Sequence, residues 1–356
     1  MSNVNAVNKG TIGSFHDASA GAQKESTHPH LNCPLVTIIM VVYSNREVIS
    51  HGLTVIDNTE YNNVEVIIVD NFGNDGSMEI VSNWVANTKV NVKIINGSVD
   101  HCLAKAENSA IALSRGKYIL PLNPDNVFLA KNWLTLLVKT LETMPFAMVA
   151  CPTVLNHDLK TIQTTGTKSH FHTYCSNNFV GMMYECVMDL PIIEVNNMPI
   201  GSTYLWRRDV GMCVGGYDEY FCPTMFEETD LFWRIGLIGG KIYWVPNSII
   251  AHVGGYSFGM ESRDHRIWSK RQSDGFKHAI RSTLKNSRIL AIPIELVLLL
   301  FPALSYNPYE SLVLFLKAIR WNITMIDDIA KRRRELFKML RYYHAGDVNL
   351  EDYEII

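Results

Sequence analysis

The sequence predicts an α/β fold: a mostly parallel sheet flanked by helices, continued by a helical C-terminal extension. Three observations predict it. Short, nearly continuous apolar runs rich in Val and Ile recur at residues 35–43, 64–69 and 118–122, the pattern of strands covered on both faces. Stretches with helical spacing separate them, as βαβ units require. Beyond Gly255 the strand-like runs stop and long helical stretches follow.

Each element has its own signal. Residues 35–43 (LVTIIMVVY) form the first strand, and Ser44-Asn45 can cap a helix over 46–58. The second strand, 64–69, ends on Asp70. A turn-rich loop then leads to Ser77, a cap for a helix over 78–87. Residues 92–95 make a shorter strand. Residues 104–114 are helical, with Ala106, Ala110, Ile111 and Leu113 on a narrow apolar side, and Gly116 sits where a C-cap glycine belongs. The run 118–122 breaks on Asn123-Pro124-Asp125-Asn126, where the proline keeps Asn123 extended. A helix over 131–143 and a strand over 147–154 follow. From 157 to 197 periodicity is lost; this stretch, with His157, His170 and His172, reads as hairpins and loops. Order resumes at Gly201, with a Gly215-Gly216 turn, a helix over 229–238 and a strand over 241–245. Helices over 266–286 and 312–343 flank an apolar run at 289–304, the last helix carrying Lys331-Arg332-Arg333-Arg334.

Bulk properties narrow the function. The 356 residues suit a large domain over 34–257 and an extension over 258–356, after a leader over 1–33 read as disordered. Apolar content of 47% and charged content of 19% are globular values. A net charge of −3 gives no electrostatic basis for binding nucleic acid. The seven cysteines are odd in number, scattered and without a C-x-x-C pair, which argues for a reducing compartment and against disulfides or a zinc site. No apolar signal-peptide region is visible in the first 32 residues.

Three acidic loops follow three strands: Asp70, the Asn74-Asp75 turn and Asn123/Asp125. In a parallel sheet these share the carboxyl edge, where such folds hold ligands. One carboxylate there can bond a nucleotide base or ribose. Another can hold a divalent cation on the phosphates, since Mg²⁺ needs only one or two protein carboxylates. A glycine-rich phosphate loop is missing. The second constellation spans 215–234, GGYDEYFCPTMFEETDLFWR. Glu227, Glu228 and Asp230 open a helix there, where the dipole favours acids whatever the function. Two adjacent glutamates among aromatics also raise each other's proton affinity, which suits a general base. His252 follows the strand-like residues 249–251, and a lone His is more often structural than a ligand.

These blocks, in this order, resemble the family 2 glycosyltransferases of the GT-A fold, particularly the rhamnosyltransferase-like branch, over about residues 35–257. The pieces are VTIIMVVYSN, VIIVDNFGNDGS, AENSAIALSRGKYILPLNPDN, GGYDEYF with FEETDLFWR, and VPNSIIAHVGGYS. The resemblance implies inverting transfer of a sugar from a nucleoside diphosphate to a glycan or lipid-linked acceptor, assisted by Mg²⁺ or Mn²⁺. By position it assigns donor nucleotide contacts to Val42, Tyr43, Asp70, Asp75, Asn108, Asn123 and Asp125. Asn123 and Asp125 fall on the Asp-x-Asp metal position, and His252 on a metal ligand that some members place downstream. Glu228 falls on the catalytic base, with Glu227 and Asp230 as acceptor or orienting groups. Asn123 removes one negative charge from the metal position, and Glu228 lengthens the usual Asp by one methylene. Those two departures keep open a catalytically inert relative, whereas an unrelated Rossmann-like oxidoreductase lacks its glycine fingerprint. A lipid-linked acceptor implies a cytoplasmic protein on the inner face of a membrane. The 16-residue run 289–304, interrupted by Pro293, Glu295 and Pro302, falls short of the roughly 20 apolar residues of a spanning helix. It is a buried core helix or an interfacial one, with nearby bases from Lys270 to Arg288 suited to anionic lipid.

Overall fold

Apolar runs with a period of two build the sheet. In the computed structural model β1 (Val36–Val42) pairs in parallel with β2 (Val64–Asp70) and β4 (Tyr118–Pro121), and β3 (Asn91–Asn96) adds parallel to β2. Val36, Ile38, Met40 and Val42 point into one core with α1 (Ile49–Asn58) and α4 (Trp133–Thr143), while Ile39 points into a second core with α3 (Leu103–Leu113). Helix α2 (Ser77–Val85) links β2 to β3. The described residues are 33–166, 179–195, 203–253, 265–304 and 307–344. The leader over 1–32, His170, His172, Gly201 and Gly254-Gly255 lie outside them.

The second half of the sheet is mixed. Its order is β3-β2-β1-β4-β9-β6-β10-β5, with β7 (Ile162–Thr164) on β6 and β8 (Ile193–Val195) on β10. Strand β9 (Leu205–Arg207) lies antiparallel between β4 and β6 (Ala147–Leu155), so β4 and β6 share a direction. β10 (Lys241–His252) runs parallel to β6, and the two-residue β5 (Asn126–Val127) pairs with its end. Between them come α5 (Arg208–Cys213) and α6 (Glu227–Leu237). Four helices follow: α7 (His265–Asn286), α8 (Ile292–Leu304), α9 (Pro308–Thr324) and α10 (Ile326–His344).

Local chemistry explains the departures from expectation. Helix α1 starts at Ile49, later than expected. The Asn45 side chain accepts the Tyr43 N–H at 2.6 Å, while its carbonyl accepts from Val48 and Ile49. Ser77 is the first residue of α2 and not its cap. Its hydroxyl donates to Asp75. Gly116 is no C-cap, because α3 ends at Leu113 and Ser114 takes that place. A Cβ on Gly116 would lie 2.5 Å from the Thr37 nitrogen, so glycine serves close backbone approach to β1. The strand expected to stop at Val245 continues to His252 through an irregular register between Val245 and Ile249. The single helix expected over 312–343 is two, since the Thr324 hydroxyl turns back to the Trp321 carbonyl and Met325 ends α9. Cysteine counting also misled: Cys102 and Cys222 form a disulfide across 120 residues of sequence. Pairing at that distance leaves no local signal, and it removes the cysteine argument for a reducing compartment.

The C-terminal helices are joined to the rest by buried charge. Asp218 accepts from Arg281 at 2.8 Å and from Lys285. Asp230 accepts from Arg234 at 2.9 Å, Lys285 at 3.0 Å, Ser282 at 2.9 Å and Asn286 at 2.8 Å. Burial alone would raise both acids, but Lys285 with Arg281 and Arg234 holds them below the usual carboxylate range. Arg281 and Lys285, expected as candidate leaflet-facing bases, are therefore buried, and Arg333 is half-buried, donating to the Leu284 and Lys285 carbonyls. Breaking such a pair strands the remaining charge. Asp218→Ala should cost about 3–5 kcal/mol in urea unfolding, whereas Lys241→Ala, at an exposed pair with Glu194, should be nearly neutral.

Candidate active site

Strand direction gathers the selected groups. β1, β2, β4, β6 and β10 run the same way, so the segments after Val42, Asp70, Pro121 and His252 lie on one edge of the sheet. β5 brings Asp125 and His252 together, since its pairing sets Asn126 opposite His252 and the Val253 N–H donates to the Asp125 carbonyl at 3.1 Å. His252 Nε2 lies 3.2 Å from Asp125 Oδ1. Its Nδ1 lies 2.9 Å from Gln163 Oε1 on β7. An amide oxygen only accepts, so Nδ1 carries a hydrogen, and Nε2 is the ring nitrogen that faces Asp125. Asn123 is half-buried at the same turn, its carbonyl accepting from the Asn126 N–H at 3.2 Å.

That pair fits a divalent cation. Two ligand atoms about 2.1 Å from one ion and at right angles lie about 3.0 Å apart, close to the separation found. Among the described residues no group of three or more His, Cys, Asp or Glu is placed to hold an ion. Two protein ligands are enough where substrate phosphates supply the others.

On the β1–β3 side the expected donor residues divide. Tyr43 packs its ring on His101 at 4.7 Å between centroids, and Asp70 accepts the Phe72 N–H at 3.0 Å. Ser44, Phe72 and His101, one in each of three successive strand-end loops, take left-handed backbone conformations at φ 52°, 62° and 55°. Such strain in non-glycine residues collects at ligand sites. The other three also make bonds within the framework. Val42 is buried, with its carbonyl taken by the Asn71 N–H. Asp75 accepts from the Arg46 and Ser77 N–H groups and the Ser77 hydroxyl. Asn108 clamps the Tyr217 backbone, donating to its carbonyl at 3.0 Å and accepting its N–H at 3.1 Å.

The glutamates at the start of α6 also divide. Met225 and Phe226, at φ 89° and 76°, form a strained turn just ahead of Glu227. On α7, His278 is pushed down to about 4 by burial, so it is neutral near pH 7, and its Nδ1–H donates to the Met225 carbonyl at 2.9 Å. Glu227 is buried, accepts the Thr224 hydroxyl at 2.6 Å, and is raised well above the usual carboxylate range by burial and by Glu228. Glu228 is partly exposed and pushed up to about 7 by burial of its carboxyl. Asp230 is fully spent in the ion network described above.

Two residues escaped the sequence reading. Glu107 on α3 is buried and pushed up to about 8, by burial first and then by Glu228, and one of its oxygens has no hydrogen-bond partner. A signal existed, since this acid lies among Ala104, Ala106, Ala110 and Ile111 on the buried side of the helix. Gln163 carried none. Tyr204 and Tyr217, joined hydroxyl to hydroxyl at 3.0 Å, stand near these acids. Thr203, beside Tyr204, bridges Leu122, so the acid cluster borders the Asn123–Asp125 turn.

Comparison with known proteins points the same way. The family model for glycosyl transferase family 2 matches residues 37–182. An uncharacterized glycosyltransferase of Haemophilus influenzae is 33% identical over 104 residues, which is 29% of this chain and 41% of that protein. The chain spans 28% to 41% of the length of the curated relatives it matches. Among solved structures, a mannosyltransferase of Pyrobaculum calidifontis in complex with GDP-Man and Mn²⁺ superposes with a TM-score of 0.53 at 17% identity, over 90% of this chain and 88% of that one. TarS 1-349 of S. aureus in complex with UDP-GlcNAc gives 0.54 at 12% identity, over 89% of each chain. At these identities the structures speak for the fold alone: the chain has a GT-A-like α/β fold, and its residues 37–182 are similar to the glycosyl transferase family 2 model.

Proposed function

We propose that this protein is an inverting, metal-assisted glycosyltransferase that moves a sugar from a nucleoside-diphosphate donor to a hydroxyl of a glycan or lipid-linked acceptor. The observation that carries the reading is the Asp125–His252 pair at the carboxyl edge of the sheet. Tyr43 and Asp70 take the nucleotide end of the donor. Asp125, His252 and the side chain of Asn123 hold Mg²⁺ or Mn²⁺, which when bound supplies positive charge to the leaving diphosphate. The acceptor oxygen attacks the anomeric carbon opposite the diphosphate. As the new C–O bond forms, the bond to the diphosphate breaks and the diphosphate leaves with its electron pair. The acceptor proton goes to the Glu228 carboxylate. Glu227 beside it is raised further by burial, and Glu228, pushed up to about 7, is the partly exposed member of the pair. Asp230 orients the helix, and hexose or rhamnose-like transfer on the cytoplasmic face of a membrane completes the reading. A catalytically inert relative is the second reading, favoured by Asn123 and Glu228. A panel of nucleoside-diphosphate sugars, followed for diphosphate release, separates the two: tight binding without turnover supports the inert relative.

Glu228→Gln keeps size but cannot accept a proton, so turnover should fall about 10²–10⁴-fold with donor affinity unchanged. Normal turnover in that variant, with Glu227→Gln dead, would assign the base elsewhere. A base must be ionised to act. Since burial raises Glu228 to about 7, kcat should rise with pH through that region and be lost below it. A profile flat from about 5 to 8 would contradict this.

Gln163 gives the metal its own test. Mn²⁺ affinity in the presence of UDP or GDP, read by electron paramagnetic resonance, should weaken about 10–100-fold in Gln163→Met, which removes the acceptor on His252. Gln163→Glu, which keeps an acceptor, should retain it. Equal affinity in all three proteins would remove His252 from the site.

A further inference from the structure

We infer that the outward faces of α8 and α9 form a docking surface for an anionic phospholipid bilayer. Helix α8 and the turn before it expose Ile289, Leu290, Ile294, Val297 and Phe301, each 57–91% accessible. The acid of this stretch, Glu295, is turned inward and accepts the Ser287 hydroxyl at 2.6 Å. The exposed face of α8 therefore carries no charge between Ile289 and Phe301.

Helix α9 has three stripes. Ser311, Leu314, Phe315, Ala318 and Asn322 are buried toward α7, where Phe315 packs edge-on to Phe276 at 5.4 Å and Asn322 donates to the Lys277 carbonyl. At 3.6 residues per turn the opposite side carries Tyr309, Leu312, Leu316 and Ile323, 44–81% accessible. Arg320 and Lys317 form the third stripe along one margin of that apolar side, and both are exposed. Beside it, a shallow groove of about 500 Å³ between α7 and α9 is lined by Ser269, Lys270, Ser273, Lys277 and Lys317, with Asp274 paired to Lys277.

A helix packed on one side normally turns a polar face to water. Nine large apolar side chains on two neighbouring helices make a patch of the kind that marks an interaction site. Among the described residues no helix is long and apolar enough to cross a membrane, so the helices lie along it. The charge pattern chooses the occupant. Lys317 and Arg320 lie along the margin of the apolar side, so an anionic leaflet neutralises them and places lipid phosphates at the lysine groove. This deepens the membrane location proposed above, and because vesicle binding needs no turnover its failure is separate from failure of the catalytic reading.

Flotation of the full chain with vesicles tests it. The protein should float with phosphatidylcholine and phosphatidylglycerol in equal parts, and about tenfold less with phosphatidylcholine alone or in high salt. Val297→Ser/Phe301→Ser/Leu316→Ser should cut partition by about tenfold or more, and Lys317→Glu/Arg320→Glu should cut it by about tenfold on anionic vesicles. All these positions are exposed, so melting temperatures should match the parent and exclude misfolding as the cause. Absence of flotation overturns the proposal. So does a dimer, seen by light scattering, that the apolar variant converts to monomer, since the face then belongs to a second copy. Inorganic phosphate binding without flotation overturns it too, reducing the groove to an anion site.

Discussion

Two buried aspartates set against three buried cations are the constraint on which the rest of this structure depends. Asp218 and Asp230 come from the loop and helix that carry the glutamates, Arg234 from that same helix, and Arg281 and Lys285 from α7. Removing ions from water is costly, so each must find its partners in a narrow geometry. The backbone is drawn into that geometry, because Arg234 also donates to the Val214 and Gly216 carbonyls on either side of the Gly215 turn. Arg281 reaches Asp328 on α10 as well. The C-terminal helices thus build the loop that presents Glu228, and are not a separate attachment to it.

The candidate site is divided between two mechanical supports. The sheet edge positions Asp125 and His252 through strand pairing, with β5 as a two-residue clasp on the end of β10. The acid cluster instead hangs from helices: Glu107 on α3, Glu227 and Glu228 on α6, and His278 on α7 steadying the strained Met225 carbonyl. Strand register tolerates little slippage, because a shift of one residue turns every side chain to the other face. The helix-borne cluster is held by long-range side-chain bonds and a disulfide from Cys102, at the head of α3, to Cys222.

What was legible in the sequence follows from how local each signal is. Apolar runs such as 35–43 and 64–69 announced their strands because burial on both faces leaves a continuous signature, and Asp70, Asp125 and His252 were placed at strand ends by that reading. The match of Asp125 with His252 needed only the shared edge. Gly116 was misread because a close approach to Thr37 and a helix cap ask for the same residue. The Cys102–Cys222 bridge, the Gln163 contact to His252 and the inward turn of Arg281 and Lys285 depend on partners 63 to 120 residues away, which no window on the chain contains. Asn108 and Asp75, expected at the donor, also tie the chain together, Asn108 holding the Tyr217 backbone from α3 and Asp75 the Arg46 and Ser77 N–H groups, bonds that no local pattern announces.

The place of β9 in the sheet has a consequence for how the molecule is made. This strand lies between β4 and β6 although both precede it in the chain. A chain emerging from the ribosome therefore has β1 to β4 available early, yet leaves an open seam beside β4 until residues 205–207 arrive. The charges of Asp218 and Asp230 wait longer still, for α7. Until then the nascent protein carries an unsealed sheet and unmatched acids, a state open to wrong pairing and to chaperones. The glutamate loop, which α7 helps to fix, becomes rigid only after that helix has been made. The rigidity of that loop is thereby tied to the arrival of α7.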